Sequence, residues 1–308
     1  MTAAVGEFMQ SGEVPNALPL EGLDGLREVR ELAALAERRT TPCGNGDMVW
    51  HIWGTARPSV APLVLLHGGS GSWTHWMRNI DPLVAAGRQV WVPDLPGFGA
   101  SALPVSGTDA DALVAPLNEG LQRLMGEQPV DLVGFSFGGM TAGLLLAAHP
   151  QLAQRLVLVG APAMVVVPQR QVKLKAWRHL SDPQEQLQVH RHNLAALMLH
   201  DPQQVDGLAL GLHVANMQHD RLPRRRLSST DILARSLPGV TCPVHVVYGR
   251  HDALYRGYLD ALEAAYAAVV PDLRGFELID NAGHWVQFEQ PQAFDAALLA
   301  ALAPGKAV

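Results

Sequence analysis

Residues 130–149 read VDLVGFSFGGMTAGLLLAAH. Val130 to Phe135 is a short apolar run of strand length, and Gly138 to His149 has the length and composition of a helix. Between them lies Gly134-Phe135-Ser136-Phe137-Gly138, a G-x-S-x-G pentapeptide. A sharp strand-to-helix turn crowds the backbone, so glycine is needed on both flanks and the serine Oγ is pushed to the upper edge of the sheet. The helix N-terminus beneath it favours developing negative charge. Ser136 is therefore the candidate nucleophile.

Working outward, the same rhythm recurs. Leu63 to His67, Val90 to Asp94, Arg155 to Val159, Val244 to Tyr248 and Gly275 to Ile279 read as strands. Trp73 to Ala86, Asp109 to Gly126, Tyr255 to Val269 and Pro291 to Leu302 read as helices between and after them. Continuous apolar strands alternating with helices predict an α/β fold with a mostly parallel central sheet covered on both faces. Leu20 to Arg39 has helical periodicity, with Arg38 and Arg39 in its last turn. Two short strands follow at about Arg38–Thr41 and Met48–Trp53, around the turn signal Gly44-Asn45-Gly46. From about Val165 to Pro238 the strands stop, and helical runs at Leu187 to Leu199 and Asp206 to Met217 take their place. The expected organisation is an N-terminal extension with a helix (1–37), an α/β core (38–164 and 239–308) and an inserted helical cap (165–238).

A serine needs a base, and the base needs an orienting acid. His284, in Asn281-Ala-Gly-His-Trp285, follows the last apolar strand on a loop that can reach over the sheet edge. Asp252 follows the strand before it and precedes His284 in the chain, giving the order Ser, acid, His. Asp131 and Asp280 are placed less well, one at the start of a strand and one directly before the histidine loop. The expected oxyanion donors are the backbone N–H groups of Phe137 and of Gly69, the latter in His67-Gly68-Gly69-Ser70-Gly71-Ser72. That loop carries neither a P-loop nor a dinucleotide fingerprint.

Composition limits the alternatives. The chain has 308 residues, 48% apolar and 17% charged, with a formal net charge of −6. This suits a packed globular protein and argues against a dedicated nucleic-acid binder. Two cysteines, Cys43 and Cys242, exclude a disulfide framework and a multi-cysteine zinc module. The longest apolar stretch, Leu156 to Pro168, is too short to span a membrane. The first twenty residues lack the regions of a secretory signal, so a cytoplasmic location is expected. Residues 165–240 hold ten Lys/Arg against six Asp/Glu, a basic cap on an acidic remainder. Within it, Arg224-Arg225-Arg226 reads as a solvated face, or alternatively as a charge drawing anionic substrates to the cleft. The cap histidines carry no metal-ligand spacing, so no metal and no cofactor is expected.

The ordered set His67-Gly68-Gly69, Asp94-Leu-Pro-Gly-Phe-Gly-Ala-Ser101, Gly134 to Gly139, Gly249 to Asp252 and Gly283-His284 resembles the α/β-hydrolase superfamily, over roughly Met48 to Leu302. The resemblance implies that fold, a serine nucleophile and structural roles for Asp94 and Glu289. Trp73 to Ser101, with Arg78-Asn79-Ile80-Asp81-Pro82-Leu83, is similar to the meta-cleavage-product hydrolases, which cut carbon–carbon bonds in 2-hydroxy-6-oxo-dienoates. That group has asparagines where this chain has Phe135 and His75. Its carboxylate-binding cap arginine falls at Leu212 or His213 here. These departures favour ester hydrolysis over carbon–carbon cleavage. Phe135, His75 and Trp285 are the expected substrate-binding residues. A small-molecule ester or ketone is the expected partner, with no nucleic acid and no membrane, and a homodimer is left open. A non-catalytic scaffold that binds a small apolar ligand is the third reading.

Overall fold

The computed structural model describes residues 26–164, 166–167, 172–205, 207–222 and 224–303. Eight strands form one sheet: β1 (Glu37–Cys43), β2 (Gly46–Trp53), β3 (Leu63–Leu66), β4 (Val90–Pro93), β5 (Val130–Phe135), β6 (Ala153–Val159), β7 (Val244–Gly249) and β8 (Leu273–Ile279). Their spatial order is β1-β2-β4-β3-β5-β6-β7-β8. β1–β2 and β2–β4 pair antiparallel, and every other pair is parallel. The fold is an α/β-hydrolase fold.

The helices are α1 (Leu26–Ala34), α2 (Ile80–Ala85), α3 (Val114–Met125), α4 (Phe137–Ala148), α5 (Pro183–Leu197), α6 (Gly207–Gln218), α7 (Ile232–Ser236), α8 (Leu259–Val269), α9 (Val286–Glu289) and α10 (Pro291–Ala301). Every residue of β3, β4 and β5 is buried. Strands covered on both faces have no solvated side, which is why their sequences run apolar instead of alternating. Two apolar clusters result, one on each side of the sheet, built around residues such as Leu132, Met140 and Leu158 and around Val133, Trp76 and Trp285. α5, α6 and α7 lie between β6 and β7, where the expected insertion falls.

One expectation is corrected. The helix does not reach Arg39: α1 ends at Ala34, and Arg38 and Arg39 lie in β1, opposite His51 and Trp50 of β2. The Gly44 turn (φ +56°) fixes that hairpin register, and pairing along it outweighs helical periodicity. Leu35, which the periodicity places in the core, is 73% exposed. The expected start of this helix at Leu20 lies outside the described residues.

Candidate active site

The turn after β5 takes the conformation the pentapeptide demands. Ser136 has φ +50° and ψ −116°, a region L-residues rarely occupy. A Cβ on Gly134 would stand 2.5 Å from the Gly138 carbonyl oxygen, and one on Gly138 would stand 2.5 Å from that of His67. Both contacts are with backbone, so neither neighbour can yield. The Ser136 N–H donates to Val159 (2.7 Å), which ties the strained residue to the adjacent strand.

His284 is buried between two partners. Its Nδ1 lies 2.8 Å from Asp252 Oδ2, and its Nε2 lies 2.9 Å from Ser136 Oγ. A carboxylate can only accept, so Nδ1 carries the proton and Nε2 is free to take one from the serine hydroxyl. Asp252 is fully buried after β7, and its Oδ1 accepts from Leu254 N–H (2.9 Å). Gly160 (φ +55°) makes room for this pair: a Cβ there would stand 3.2 Å from the imidazole and 3.4 Å from Asp252 Oδ2. Sequence reading missed Gly160, although its place directly after β6 was a signal.

The competing carboxylates face elsewhere. Asp131 is buried at the opposite end of β5, where Arg88 (2.5 Å) and Arg155 (3.0 Å) hold it. Asp280 is exposed and pairs with Arg250.

The Phe137 N–H opens α4 beside Ser136, and Gly69 lies next to it: a Cβ on Gly69 would stand 3.4 Å from that of Phe137. The backbone just before Gly69 is tied down. Gly68 N–H donates to His75 Nδ1 (3.2 Å), and the Gly68 carbonyl lies 2.8 Å from His67 Nδ1. His67 Nε2 accepts from Leu95 N–H (2.8 Å). Burial lowers the pKa of His67 to about 4 and that of His75 well below the usual histidine range, so both are neutral at pH 7.

A pocket of about 500 Å³ opens over Ser136. Phe135, Phe137, Val167 and Met198 make its apolar walls, while Arg225, Ser229 and Thr230 make a polar one. Two of the three expected substrate contacts are corrected. His75 is 4% and Trp285 1% exposed, and neither lines the pocket; they pack behind Phe135 with ring centroids 4.9 Å apart. The Trp285 Nε1–H donates to the His75 backbone carbonyl (3.0 Å), and the His75 ring is held by the Gly68 N–H on its Nδ1 (3.2 Å). Phe135 does line the pocket.

The arginine run is also corrected. Arg224 and Arg226 are exposed, but Arg225 is half-buried in the pocket wall, with its guanidinium carbon 5.1 Å above the Phe98 ring and 5.5 Å above that of Phe137. It is the pocket's one cation among the described lining residues. The cap histidines form no cluster of ligands. His190 is fully buried against Trp177 and His213, and burial takes its pKa down to about 4. Among the described residues no group of three or more His, Cys, Asp or Glu could hold a metal ion, and no helix is long and apolar enough to cross a membrane.

A family model described as the alpha/beta hydrolase family matches residues 63–297. The chain belongs to that family. This hydrolase is 26% identical over 277 residues to a 2-hydroxy-6-oxononadienedioate/2-hydroxy-6-oxononatrienedioate hydrolase of Pseudomonas sp., covering 84% of the chain and 89% of that protein. It is 30% identical over 246 residues to a 2-hydroxymuconate semialdehyde hydrolase of Pseudomonas sp. (strain CF600), covering 76% and 83%. In structure it resembles a meta-cleavage product hydrolase from Pseudomonas fluorescens (TM-score 0.68, 18% identity, 85% and 96% covered). It also resembles an esterase from Rhodococcus sp. ECU1013 (TM-score 0.66, 22% identity, 86% and 98% covered). Likeness at this identity speaks to the fold alone.

Two carboxylates of this hydrolase brace the loops around the site. Asp94 accepts from the Trp73 N–H and the Ala100 N–H (both 2.9 Å), joining the loop after β3 to the loop after β4. Burial pushes its pKa up, but the His51 and Ala100 hydrogen bonds outweigh that and hold it low. Glu289 accepts from the N–H groups of His200, Asp201 and Gly283, so one side chain ties the cap to the residue before His284.

Proposed function

We propose that this chain is a serine hydrolase that cleaves a carbon–carbon bond next to a ketone in a 2-hydroxy-6-oxo-dienoate, through an acyl-enzyme on Ser136. The observation that carries the serine chemistry is His284 held between Asp252 (2.8 Å) and Ser136 Oγ (2.9 Å). His284 Nε2 takes the hydroxyl proton as Oγ bonds to the carbonyl carbon. The oxyanion accepts from the N–H groups of Phe137 and Gly69. The tetrahedral centre collapses, the leaving carbon takes the bonding pair, and His284 returns the proton. Water then hydrolyses the acyl-enzyme by the same relay, so the sum is water added across the broken bond. Asp252 orients the imidazole and stabilises its cation.

Two observations support the choice of bond. Of the relatives named above, one is a hydrolase of a 2-hydroxy-6-oxo-dienedioate and the other of 2-hydroxymuconate semialdehyde. A carbon leaving group needs its charge delocalised into an acid half, and such a half is anionic; Arg225 in the pocket wall is a cation that can hold it. This reverses the order expected from Phe135 and His75. In place of a cation at Leu212 or His213, a different stretch of the cap offers the guanidinium of Arg225, which Asp220 also pairs. The second reading, an ester of a small apolar acid, is favoured by the Phe135, Val167 and Met198 walls.

The test is one panel: a meta-cleavage product beside p-nitrophenyl esters of graded chain length. Bleaching of the coloured dienolate with kcat/KM ~10²-fold or more above the best ester is expected. The reverse ranking makes the protein an esterase. No turnover, together with no fluorophosphonate labelling of Ser136, overturns both readings and revives the non-catalytic scaffold.

A further inference from the structure

We propose that Ser70 and Asp220 form a latch through which the cap sets the position of the Gly69 oxyanion donor; both are positioning residues. The inference rests on the serine-hydrolase reading of Ser136.

Ser70 has φ +51°, in the left-handed region that a serine occupies only when its surroundings hold it there. Its hydroxyl is held twice. The Oγ–H donates to Asp220 Oδ2 (2.5 Å), and the Oγ accepts from Arg225 Nη2 (2.8 Å), across 150 and 155 residues of chain. Arg225 Nη1 donates to both Asp220 oxygens (2.9 and 3.0 Å), and Asp220 Oδ1 also accepts from the Leu222 N–H (3.0 Å). Serine, carboxylate and guanidinium therefore close a ring in which each touches the other two. Burial pushes the Asp220 carboxyl up, but its bonds to Arg225 and Ser70 outweigh this and keep it ionised, which strengthens each contact.

The placement of this ring gives it a function. The core holds the oxyanion loop at Gly68, through His75 and His67, and next at Ser72 and Trp73, through Thr74 and Asp94. Ser70 is the next residue after Gly69, and its side chain is bound only by the cap. Gly69 thus lies between a core-held peptide, whose plane carries its N–H, and a cap-held residue, and the seating of that peptide depends on both.

The cap segment has its own anchors elsewhere. Arg221 N–H donates to the Gly97 carbonyl (3.0 Å), Arg221 Nη2 reaches the Ser101 carbonyl (2.5 Å), and the Arg226 and Leu227 N–H groups donate to Asp109. Loosening the latch should therefore leave the cap seated and disturb only the oxyanion loop.

The experiment compares Ser70→Ala, Asp220→Asn and the double variant with the native chain, on whichever substrate of the panel is turned over. Each single variant should lower kcat by ~10-fold or more, because a donor misaimed by a fraction of an ångström loses much of its effect. KM should change by less than ~3-fold, and thermal unfolding should shift little. The double variant should match the single ones, since either substitution opens the same ring. Ser70→Gly separates the latch from backbone strain: it removes the hydroxyl and the cost of positive φ together, and is expected to lose as much as Ser70→Ala. It also serves if Ser70→Ala does not fold. An unchanged kcat, a loss confined to KM, independent losses in the double variant, or full activity in Ser70→Gly each overturns the latch. Failure of the underlying reading shows separately, as turnover that survives Ser136→Ala.

Discussion

The turn at Ser136 and the polar wall of the pocket face each other across about 500 Å³ and are held in opposite ways. At Gly134, Ser136 and Gly138 the backbone is fixed by backbone: carbonyl oxygens stand where any Cβ would go, and a parallel strand receives the Ser136 N–H. At Ser70, Asp220 and Arg225 the backbone is fixed by side chains that make charge-assisted hydrogen bonds. A turn locked by sterics resists small changes until it breaks. A wall locked by three polar groups can be tuned by one substitution. The first arrangement suits a reaction common to many substrates, and the second suits selection among them.

The largest effect that tests this contrast is Ser136→Ala. Turnover should fall by on the order of 10⁶-fold, and fluorophosphonate labelling should disappear in intact-mass spectrometry. Asp252→Asn comes next. It keeps the shape but removes the acceptor that fixes the His284 tautomer, so kcat should drop ~10⁴-fold; a near-normal rate would move the acid elsewhere. Arg225→Ala should lower kcat/KM for the anionic dienoate by ~10–10²-fold, while a neutral ester on the same variant loses clearly less. Equal losses on both would make Arg225 part of the latch alone and remove its role with the anion.

Gly134→Ala tests the steric side of the contrast in stability. A Cβ 2.5 Å from a backbone oxygen has no route of relief, so the unfolding midpoint should fall by several degrees or the protein should fail to accumulate. The smallest effect is with pH. His67 and His190 titrate at about 4 in the folded chain because they are buried, against ~6.5 when unfolded. The unfolded chain therefore binds more protons between these values, and stability falls as pH drops from ~6.5 to ~4. Thermal unfolding at steps across that window should show a falling midpoint, and His190→Leu should flatten part of the slope.

The parallel sheet was legible because strands covered on both faces run apolar, as those from Leu63, Val90, Val130, Arg155 and Val244 onward do, and the other three strands were read from the runs at Arg38, Met48 and Gly275. The site positions Ser136, Asp252 and His284 were legible because each follows a strand, and parallel strands deliver their following loops to one edge of the sheet. α1 was misjudged at its C-terminal end because the pairing of Arg38 and Arg39 with β2 is non-local. His75 and Trp285 were misjudged because adjacency to site residues in the chain does not say which way a ring turns; separate hydrogen bonds, one to the Gly68 N–H and one to the His75 backbone carbonyl, hold the two rings away from the pocket.

The chain alone thus determined the α/β architecture, the elbow at Ser136 and the order Ser, Asp, His, since these follow from local periodicity and from turns only glycine can make. Tertiary structure alone decided that Arg225, one of three adjacent arginines, enters the pocket while Arg224 and Arg226 face solvent. Its partners, Asp220 and Ser70, are five and 155 residues away, and only folding brings a carboxylate, a hydroxyl and two aromatic faces around one guanidinium. Local patterns carry the information for elements and their ends. The polarity of a pocket wall comes from contacts between distant segments, and no run of neighbouring residues records it.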